Sequence, residues 1–389
     1  MRGNNLDSVR RNNLSMVLDL VNRSRSLSRS ELTRETGLNR STVSALVGEL
    51  VERGLIIESS PDVTSSVGRP SPIVSPHPDC VAIAVNPEVD AVTLGVVGLG
   101  GVVQYRSRHE VDAVLSPREA VDLIARLIGE LDLSGRRVIG IGVAVPGLVR
   151  AADGLVRWAP HLKWTDEPIA ELLAAATGRL VLAANDASLG AVAEHIFGAG
   201  TGVADLVYLN GGASGIGGGV IANGTLLGGL DGYAGEFGQN RPGIRDPADR
   251  TTVDGTLEDE VSRSRLLEVA RLSTADEPTL AAALRDSDDP VVVAELARQL
   301  RVLSVALSNA INVLNPRLVV LGGFLAAIHA SDPTTLESLV GQQSIRASFE
   351  GVRIAEAGLG EDLLMIGAAQ LPFDVLIADP AAFETAPAR

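Results

Sequence analysis

The sequence predicts an α/β protein in two parts: a small, mainly helical N-terminal part and a larger part in which strands and helices alternate. Three observations carry this prediction. Two short amphipathic helical patterns joined by a glycine occupy residues 28–53. A stretch with three prolines, SPIVSPHPD at residues 71–79, then interrupts the pattern. Beyond it, runs of β-branched residues alternate with helical patterns almost to the end of the chain.

The two N-terminal helical patterns have the spacing of a helix-turn-helix. Ser30 is placed to cap a helix Glu31–Thr36, and Gly37 to end it, because glycine tolerates a positive φ. A second helix from about Arg40 to Arg53 has one apolar stripe. The residues of the stripe are Val43, Leu46, Val47, Leu50 and Val51. A plain helical hairpin would show the same pattern, so the strands that follow matter.

Two strand patterns extend the hairpin to a winged helix-turn-helix. Leu55–Ile57 form the first, and Ile73-Val74 return after a polar loop that holds Gly68-Arg69-Pro70. In this motif the second helix lies in the major groove, and a loop arginine can enter the electronegative minor groove. A further helical pattern at about residues 7–22 predicts a supporting helix.

Charge separates the two parts. The chain carries −15 at neutral pH, but residues 1–72 hold ten arginines against eight acidic residues, which leaves −17 on the remainder. Only the N-terminal part therefore suits the phosphates of double-stranded operator DNA. We expect Arg69 to contact the minor groove. The expected major-groove contacts on the second helix are Arg40, Ser41, Thr42 and Ser44.

Composition argues against several other classes of protein. No apolar run approaches the length of a membrane-spanning helix, and residues 1–13 lack the apolar core of a secretory signal, so we expect a cytoplasmic protein. Cys80 is the only cysteine, which excludes an intramolecular disulfide and predicts a buried structural residue. Lys163 is the only lysine, which argues against Schiff-base chemistry.

Polar side chains follow a strand pattern in the larger part. The strand Arg179–Ala183 leads into Asn185 and Asp186, and open α/β sheets bind ligands at such carboxyl ends. Equally, Asp186 could simply cap the helix Ala187–Phe197. A glycine run at residues 211–219 could approach a phosphate, or could be a tight β-hairpin.

Six stretches, in this order and spacing, carry a family resemblance. They are GIGVAVPGLV (140–149), WAPHLKW (158–164), AANDA (183–187), SGIGGGVIANGTLLGGLDGYAGEFGQ (214–239), NAINVLNPRLVVLGG (309–323) and GEDLLMIGAA (360–369). Together they resemble the ROK family (repressor, open reading frame, kinase). The resemblance spans about residues 10–375 and implies a two-lobed sugar-kinase domain of the actin-like ATPase fold. The winged helix in front is similar to the regulatory branch of the family.

The resemblance also implies roles for single residues. The family's general base, which takes the proton of a sugar hydroxyl, matches Asp186. Residues that hydrogen-bond the other hydroxyls match Asn185, Glu236 and Glu258. Gln239 stands where zinc-binding relatives have a histidine that contacts the sugar. The resemblance thus implies that these five residues bind a sugar or sugar derivative.

Two departures from the family's kinases affect the expected cofactors. The kinases begin the domain with Asp-x-Gly-Gly-Thr, which holds ATP phosphates, whereas this chain has Asn86-Pro87-Glu88. Proline removes an amide donor and glutamate repels phosphate. The family's zinc site uses a histidine and three cysteines, but no cysteine lies between Gln239 and Glu258, and Thr256 replaces the last one. We expect neither zinc nor ATP as a cofactor.

The leading interpretation is a dimeric, or higher even-numbered, sugar-responsive repressor without kinase activity. We expect the winged helix at residues 1–72, a linker at 73–80, a first lobe at 81–195 and a second at 196–389, whose C-terminal helix returns to the first lobe. One alternative is an ATP-dependent sugar kinase fused to a DNA-binding domain. Another is a ligand-independent repressor in which the cleft only supports dimerisation.

Overall fold

The computed structural model describes residues 3–60, 71–212, 215–244, 246–253 and 255–383. It contains an N-terminal head, which we define as the described residues up to 76, and a two-lobed body formed by the rest. Within the described part of the chain, no helix is both long and apolar enough to cross a membrane.

The head is a winged helix-turn-helix, as the sequence predicts. Its elements are α1 (Gly3–Ser24), β1 (Leu27–Ser28), α2 (Arg29–Thr36), α3 (Arg40–Glu52), β2 (Ile56–Ser59) and β3 (Ile73–Pro76). The strands form an antiparallel sheet in the order β1-β3-β2. The stripe on α3 is buried except for Val51, which is 37% exposed. The strand β1 has no sequence signal because it is only two residues long.

The cap of α2 differs from the prediction. Ser28, not Ser30, is the cap: its hydroxyl accepts a hydrogen bond from the Glu31 amide at 3.1 Å, and the Glu31 carboxylate accepts one from the Ser28 amide at 2.7 Å. Ser28 keeps the extended conformation that a cap needs because it pairs with Ile73 in the wing sheet. Gly37 ends α2 at φ 67°, as predicted.

The predicted linker at residues 73–80 is wrong. Its first half, β3, is the central strand of the wing sheet, and Cys80 already belongs to the first strand of the body. The prolines of this stretch lie where strands end or meet the body, so a composition typical of linkers here marks a short, ordered junction. The apolar core runs through this junction without a break, from Val17 and Val21 of α1 to Cys80 and Phe373.

The first lobe is built on a five-stranded sheet in the order β11-β7-β4-β5-β6. Its elements are β4 (Cys80–Pro87), β5 (Ala91–Gly98), β6 (Val102–Glu110), α4 (Pro117–Glu130), β7 (Arg137–Val145), β8 (Leu148–Val149), β9 (Val156–Ala159), β10 (Trp164–Glu167), α5 (Ile169–Thr177), β11 (Val181–Asn185) and α6 (Asp186–Phe197). The strands β8, β9 and β10 form a small separate sheet.

The second lobe has its own five-stranded sheet in the order β14-β13-β12-β15-β16. Its elements are β12 (Leu206–Gly212), β13 (Gly215–Ala222), β14 (Thr225–Leu226), α7 (Leu257–Glu260), α8 (Arg263–Val269), α9 (Glu277–Arg285), α10 (Pro290–Leu314), β15 (Leu318–Gly323), α11 (Phe324–Ser331), α12 (Pro333–Gln343), α13 (Arg346–Phe349) and β16 (Arg353–Glu356). The last helix, α14 (Leu363–Ala378), packs on the first lobe.

Residues of alternating size fit the first sheet between its helices. On β4, the small Ala82 and Ala84 belong to the core that contains α14, whereas Ile83 and Val85 belong to the core that contains α4. A Cβ atom on Gly142 would lie 1.8 Å from the carbonyl oxygen of Ala368, so α14 packs directly on the backbone of β7. This packing fixes α14 between the first sheet and the head.

Cys80 is fully buried at this position, as the sequence predicts. Burial raises the pKa of its thiol to about 12, although Arg137 opposes the shift.

Candidate functional site

A cleft of about 210 Å³ lies between the two lobes. The ends of β11 and β12, the start of α6 and the start of β13 form its floor, and the β8–β9 region together with Glu236, Gln239 and Glu258 forms its walls. The five residues predicted to bind sugar, Asn185, Asp186, Glu236, Gln239 and Glu258, all line it. The fold therefore brings together residues that lie up to 73 positions apart in the sequence.

Asn185, not Asp186, caps helix α6. The Asn185 side-chain oxygen accepts a hydrogen bond from the Ser188 amide at 2.8 Å, and its amide group donates to the Gly147 carbonyl at 3.0 Å. Asp186 is the first residue of the helix. One carboxylate oxygen of Asp186 accepts a hydrogen bond from the Ala187 amide at 2.7 Å. The capping interpretation of Asp186 therefore does not hold, and its carboxylate lies at the edge of the cleft.

Two acidic side chains of the cleft, Asp186 and Glu236, have raised pKa values. Burial raises the pKa of Asp186 to about 6, and the nearby Glu236 adds to the shift, while the hydrogen bond from Ala187 opposes it. Burial also raises the pKa of Glu236, and repulsion from Glu258 adds to it. Carboxylates held in this way are strong acceptors for ligand hydroxyl groups, because water solvates them poorly.

Gln239 orients Glu258. Its side-chain amide donates to one carboxylate oxygen of Glu258 at 2.6 Å, and the Ile216 amide donates to the other at 3.1 Å. Two glycines leave room for this carboxylate, since a Cβ on Gly215 or Gly238 would lie 2.4 or 2.8 Å from its Oε2 atom. Gln239 thus holds the Glu258 carboxylate in position, a role that the residue type alone does not predict.

The cleft has further wall residues that no sequence pattern singles out as ligand-binding. Trp158 on β9 is 49% exposed, and it lines the cleft with His161 of the following loop and Asn210 at the end of β12. The exposed half of the indole ring offers an apolar face and a polar N–H edge to a molecule in the cleft. An aromatic residue in a short strand is a weak sequence signal, because its position in the chain does not show which way the ring lies.

The described residues of the glycine run, 211–212 and 215–219, lie in the antiparallel strands β12 and β13, in agreement with the hairpin interpretation. Two glycines of the run pack closely against α6. A Cβ on Gly217 would lie 2.7 Å from the Cβ of Ala187, and one on Gly219 would lie 2.6 Å from the Cβ of Ala191.

The turn between β4 and β5 is acidic. Glu88 accepts hydrogen bonds from Asn86 at 3.1 Å and from the Thr93 hydroxyl at 2.8 Å. Arg108 pairs with Asp90 at 2.8 Å and lies 3.5 Å from Glu88. Glu88 is therefore built into the turn, at the place where the kinases of the family have a phosphate-binding loop.

A buried ionic network holds Glu260, and through it Thr251 and Thr252, against α10. Arg298 pairs with Glu295 at 2.7 Å and with Glu260 at 3.3 Å, and all three side chains are at most 8% exposed. Glu260 also accepts hydrogen bonds from Thr251 and Thr252. Burial opposes ionisation, but these hydrogen bonds outweigh it, so the pKa of Glu260 is lowered. Thr256 forms a capping box with Asp259 at the start of α7.

The predicted DNA contacts lie on α3. Arg40 and Ser41 are exposed, whereas Thr42 and Ser44 are half-buried. The Ser44 hydroxyl accepts a hydrogen bond from Arg29 at 3.0 Å, and Arg29 also pairs with Glu58 of the wing. Arg69 lies outside the described residues.

Comparisons with known proteins agree with both parts of the fold. A model of the ROK family matches residues 83–374, and a model of the MarR family matches residues 15–63. The xylose repressor of Caldicellulosiruptor bescii is 25% identical over 388 residues, which cover 95% of this chain and 97% of that protein.

Similar proteins include both an enzyme and a transcriptional regulator. The glucokinase of Halalkalibacterium halodurans is 27% identical over 281 residues, which cover 67% of this chain and 84% of the enzyme. A solved structure of a ROK family transcriptional regulator, described as a homolog of the E. coli MLC protein, is 23% identical with a TM-score of 0.76, covering 95% of this chain and 97% of that one. Because the family model covers most of the sequence, the chain belongs to the ROK family.

Proposed function

We propose that this protein is a sugar-responsive DNA-binding transcriptional repressor, in which the body senses a sugar and the head binds an operator. The observation that carries the proposal is that a winged helix-turn-helix and an acid-lined cleft are joined in one chain through a continuous core. Similarity to a xylose repressor over nearly the whole of both proteins supports it.

In this proposal the cleft binds an aldose such as D-xylose. Asn185, Asp186, Glu236 and Glu258 accept or share hydrogen bonds with the hydroxyl groups, and Gln239 acts through Glu258. A polyhydroxylated ring offers several donors, and acidic and amide oxygens satisfy them. Trp158 supplies an apolar surface at the rim for the C–H face of the ring.

We further propose that the protein acts as a homodimer, or a higher even-numbered oligomer, and binds a palindromic operator. A winged helix-turn-helix reads one half-site, and two-fold symmetric half-sites match two-fold symmetric protein. Sugar binding shifts the angle between the lobes and lowers the affinity for the operator by changing how the two heads are presented.

The test uses the full chain with two probes. Calorimetric titration with D-xylose, D-glucose and N-acetyl-D-glucosamine measures sugar binding. Selection from random-sequence duplexes identifies the DNA, and anisotropy measures its affinity with and without sugar. We expect one sugar to bind, a palindromic duplex to be recovered, and the sugar to weaken the DNA complex. Glu258→Gln should abolish sugar binding, whereas Glu171→Gln, at an exposed position of the first lobe, should not.

Complete calorimetric silence with all three sugars, together with tight DNA binding, would instead favour a ligand-independent repressor. Failure to recover any preferred duplex would contradict the assignment of the head.

We also propose that the protein has no kinase activity and uses neither ATP nor zinc. The acidic β4–β5 turn supports the first point, since the charges of Glu88 and Asp90 exceed the single charge of Arg108 beside them, and the remaining negative charge would repel phosphate. The alternative, an ATP-dependent sugar kinase, draws support from Asp186, whose raised pKa suits a general base. A coupled ADP-release assay with the same sugars separates the two. Turnover that Asp186→Asn abolishes would establish the kinase.

A further inference from the structure

One helix, α6, reaches from the cleft to the head. Its first residue, Asp186, lies in the cleft, and its last residue, Phe197, lies against the head. Twelve residues of α-helix span about 18 Å. A single rigid element therefore joins the proposed sugar site to the DNA-binding part.

Near its C-terminal end, α6 holds both chain crossings between the lobes. The chain crosses once at residues 198–205 and returns at residues 357–362. Glu194, which is fully buried, accepts hydrogen bonds from the amides of Ala199 at 2.7 Å, Gly358 at 2.9 Å and Leu359 at 3.0 Å. The Glu194 carboxylate thus holds both crossing segments against the last turns of α6. Any rotation between the lobes must therefore pivot beside this side chain.

Between these ends, α6 has little room to move independently. Gly217 and Gly219 of β13 let it approach the second sheet so closely that a Cβ atom on either would overlap an alanine of the helix. On another face, a Cβ on Gly367 of α14 would lie 2.5 Å from the carbonyl oxygen of Leu189. Because packed helices shift as units and do not deform smoothly, a displacement at Asp186 moves the whole helix.

At the far end, Arg25 of the head lies over the Phe197 ring, with its guanidinium carbon 5.3 Å from the ring centroid. Its Nε atom donates to the Gly100 carbonyl at 2.9 Å, and Gly101 packs against the same ring. Arg25 has φ 61°, in the left-handed region where glycine is favoured. Glycine at position 25 would therefore keep this backbone conformation while removing the side chain that contacts Phe197 and Gly100.

Asn22 reinforces this contact between head and body. It is fully buried, its side-chain oxygen accepts a hydrogen bond from the Gly100 amide at 2.8 Å, and its amide group lies 3.4 Å from the Gln370 oxygen on α14. The C-terminal end of α1 therefore packs on the Gly100-Gly101 turn.

We propose that α6 transmits the effect of sugar binding to the head. Glu194 is the pivot between the lobes, and the contact of Arg25 with Phe197 passes the movement of α6 to the head. This inference rests on the proposed function of the cleft and the head. It assigns to Arg25 and Glu194 a role in coupling the two sites, not in binding either ligand.

The decisive variant is Arg25→Gly, because glycine keeps the left-handed backbone and removes only the side chain. The measured quantity is the ratio of two dissociation constants for the duplex recovered by selection, one with a saturating sugar and one without. The sugar is D-xylose, D-glucose or N-acetyl-D-glucosamine. For the wild type we expect a ratio within the range typical of coupled sites, roughly 5- to 150-fold. For Arg25→Gly we expect a ratio within about twofold of unity, with sugar affinity by calorimetry unchanged.

Arg271→Gly is the matched control. Arg271 also has a left-handed backbone, at φ 57°, but is exposed in the second lobe, away from the head. It should keep the wild-type ratio. Glu194→Gln should also reduce the ratio. Both carboxylate oxygens of Glu194 accept hydrogen bonds from backbone amides, whereas only the oxygen of a glutamine side chain can accept them. Glu171→Gln serves as its control.

The outcomes separate the two proposals. A wild-type ratio retained in Arg25→Gly and Glu194→Gln, with normal sugar binding, would overturn the coupling role and leave the proposed function intact. A wild-type protein whose operator affinity does not respond to a bound sugar would overturn both. Loss of sugar binding in Arg25→Gly would also contradict the inference, because it would show that Arg25 supports the cleft itself.

Discussion

At the scale of single residues, the ionisation of Asp186 is the property that can be tested most directly. Its folded pKa of about 6 lies above its ordinary value of 3.8, so the folded state binds a proton more tightly than the unfolded state. Between those two values, the free energy of unfolding must fall as the pH rises. The group is fully protonated in both states at lower pH, and there it has no effect.

We therefore predict that Asp186→Asn stabilises the sugar-free protein at pH 7 but not near pH 3.5. The expected gain at pH 7 is up to about 3 kcal/mol, which corresponds to the difference between the two pKa values. Urea unfolding at several pH values measures it. Asp122→Asn, at an exposed position on α4, is the control. Parallel pH profiles for Asp186→Asn and the wild type would contradict the assignment.

Single residues also show what the sequence can and cannot reveal about the cleft. The family resemblance selects Asn185, Asp186, Glu236, Gln239 and Glu258, and the fold brings all five to one cleft. Two other wall residues, Trp158 and Asn210, are given no role by the resemblance, although Trp158 begins one of the matching stretches, because no spacing rule says which loops of two different sheets will meet. Capping of α6 by Asn185 cannot be separated from capping by Asp186 in the sequence, since adjacent residues are equivalent in a local pattern.

At the scale of elements, the segment that carries Glu258 depends on Arg298. The guanidinium group of Arg298 bridges Glu295 and Glu260 in an almost fully buried environment, and it also donates to the carbonyl groups of Asp249 and Glu260. Since these contacts lie on α10, α7 and the preceding loop, one side chain joins three parts of the second lobe.

We predict that Arg298→Met destabilises the protein by about 3–5 kcal/mol, because it leaves buried carboxylates without their counter-charge. Arg126→Met is the control, since Arg126 pairs with Glu130 on the surface, where the two side chains are 63% and 59% exposed. It should cost less than about 1 kcal/mol. Chemical denaturation measures both. Equal effects of the two substitutions would show that burial of the network adds nothing to stability.

Element boundaries follow from the sequence where local chemistry sets them. The bounds of helix α4, Pro117–Glu130, can be derived from local sequence, because Ser116 and Glu119 form a capping box before a regular apolar stripe. The wing strand β3 is different, since the apolar pair Ile73-Val74 predicts a strand whereas the surrounding prolines predict a linker. Only its partners, β1 and β2, make it a strand, and such pairing is not visible locally.

At the scale of the whole molecule, the distribution of charge predicts which end of the protein binds DNA. The part up to residue 72 carries +2 and the rest −17, so we expect phosphate contacts on the head and repulsion between the body and the duplex. Arg40 is exposed at the start of α3, where phosphate or base contacts are expected.

We predict that Arg40→Gln weakens operator binding and reduces the steepness of log affinity against log salt by about 1, the value for one phosphate that is no longer neutralised. Anisotropy titrations between about 50 and 200 mM salt measure the slope. Arg126→Gln, on the body, should leave both affinity and slope unchanged. An unaltered slope in Arg40→Gln would mean that α3 approaches the duplex differently.

The sealed position of Cys80 has a practical consequence. Its thiol lies under both the head and α14, and at a pKa of about 12 almost none of it is thiolate at neutral pH. The natural chain is therefore a clean background for spectroscopic labels. A cysteine placed at exposed Ser41 would react alone with a maleimide or nitroxide, and distances between two labelled copies would report directly how the reading helices separate when a carbohydrate is added.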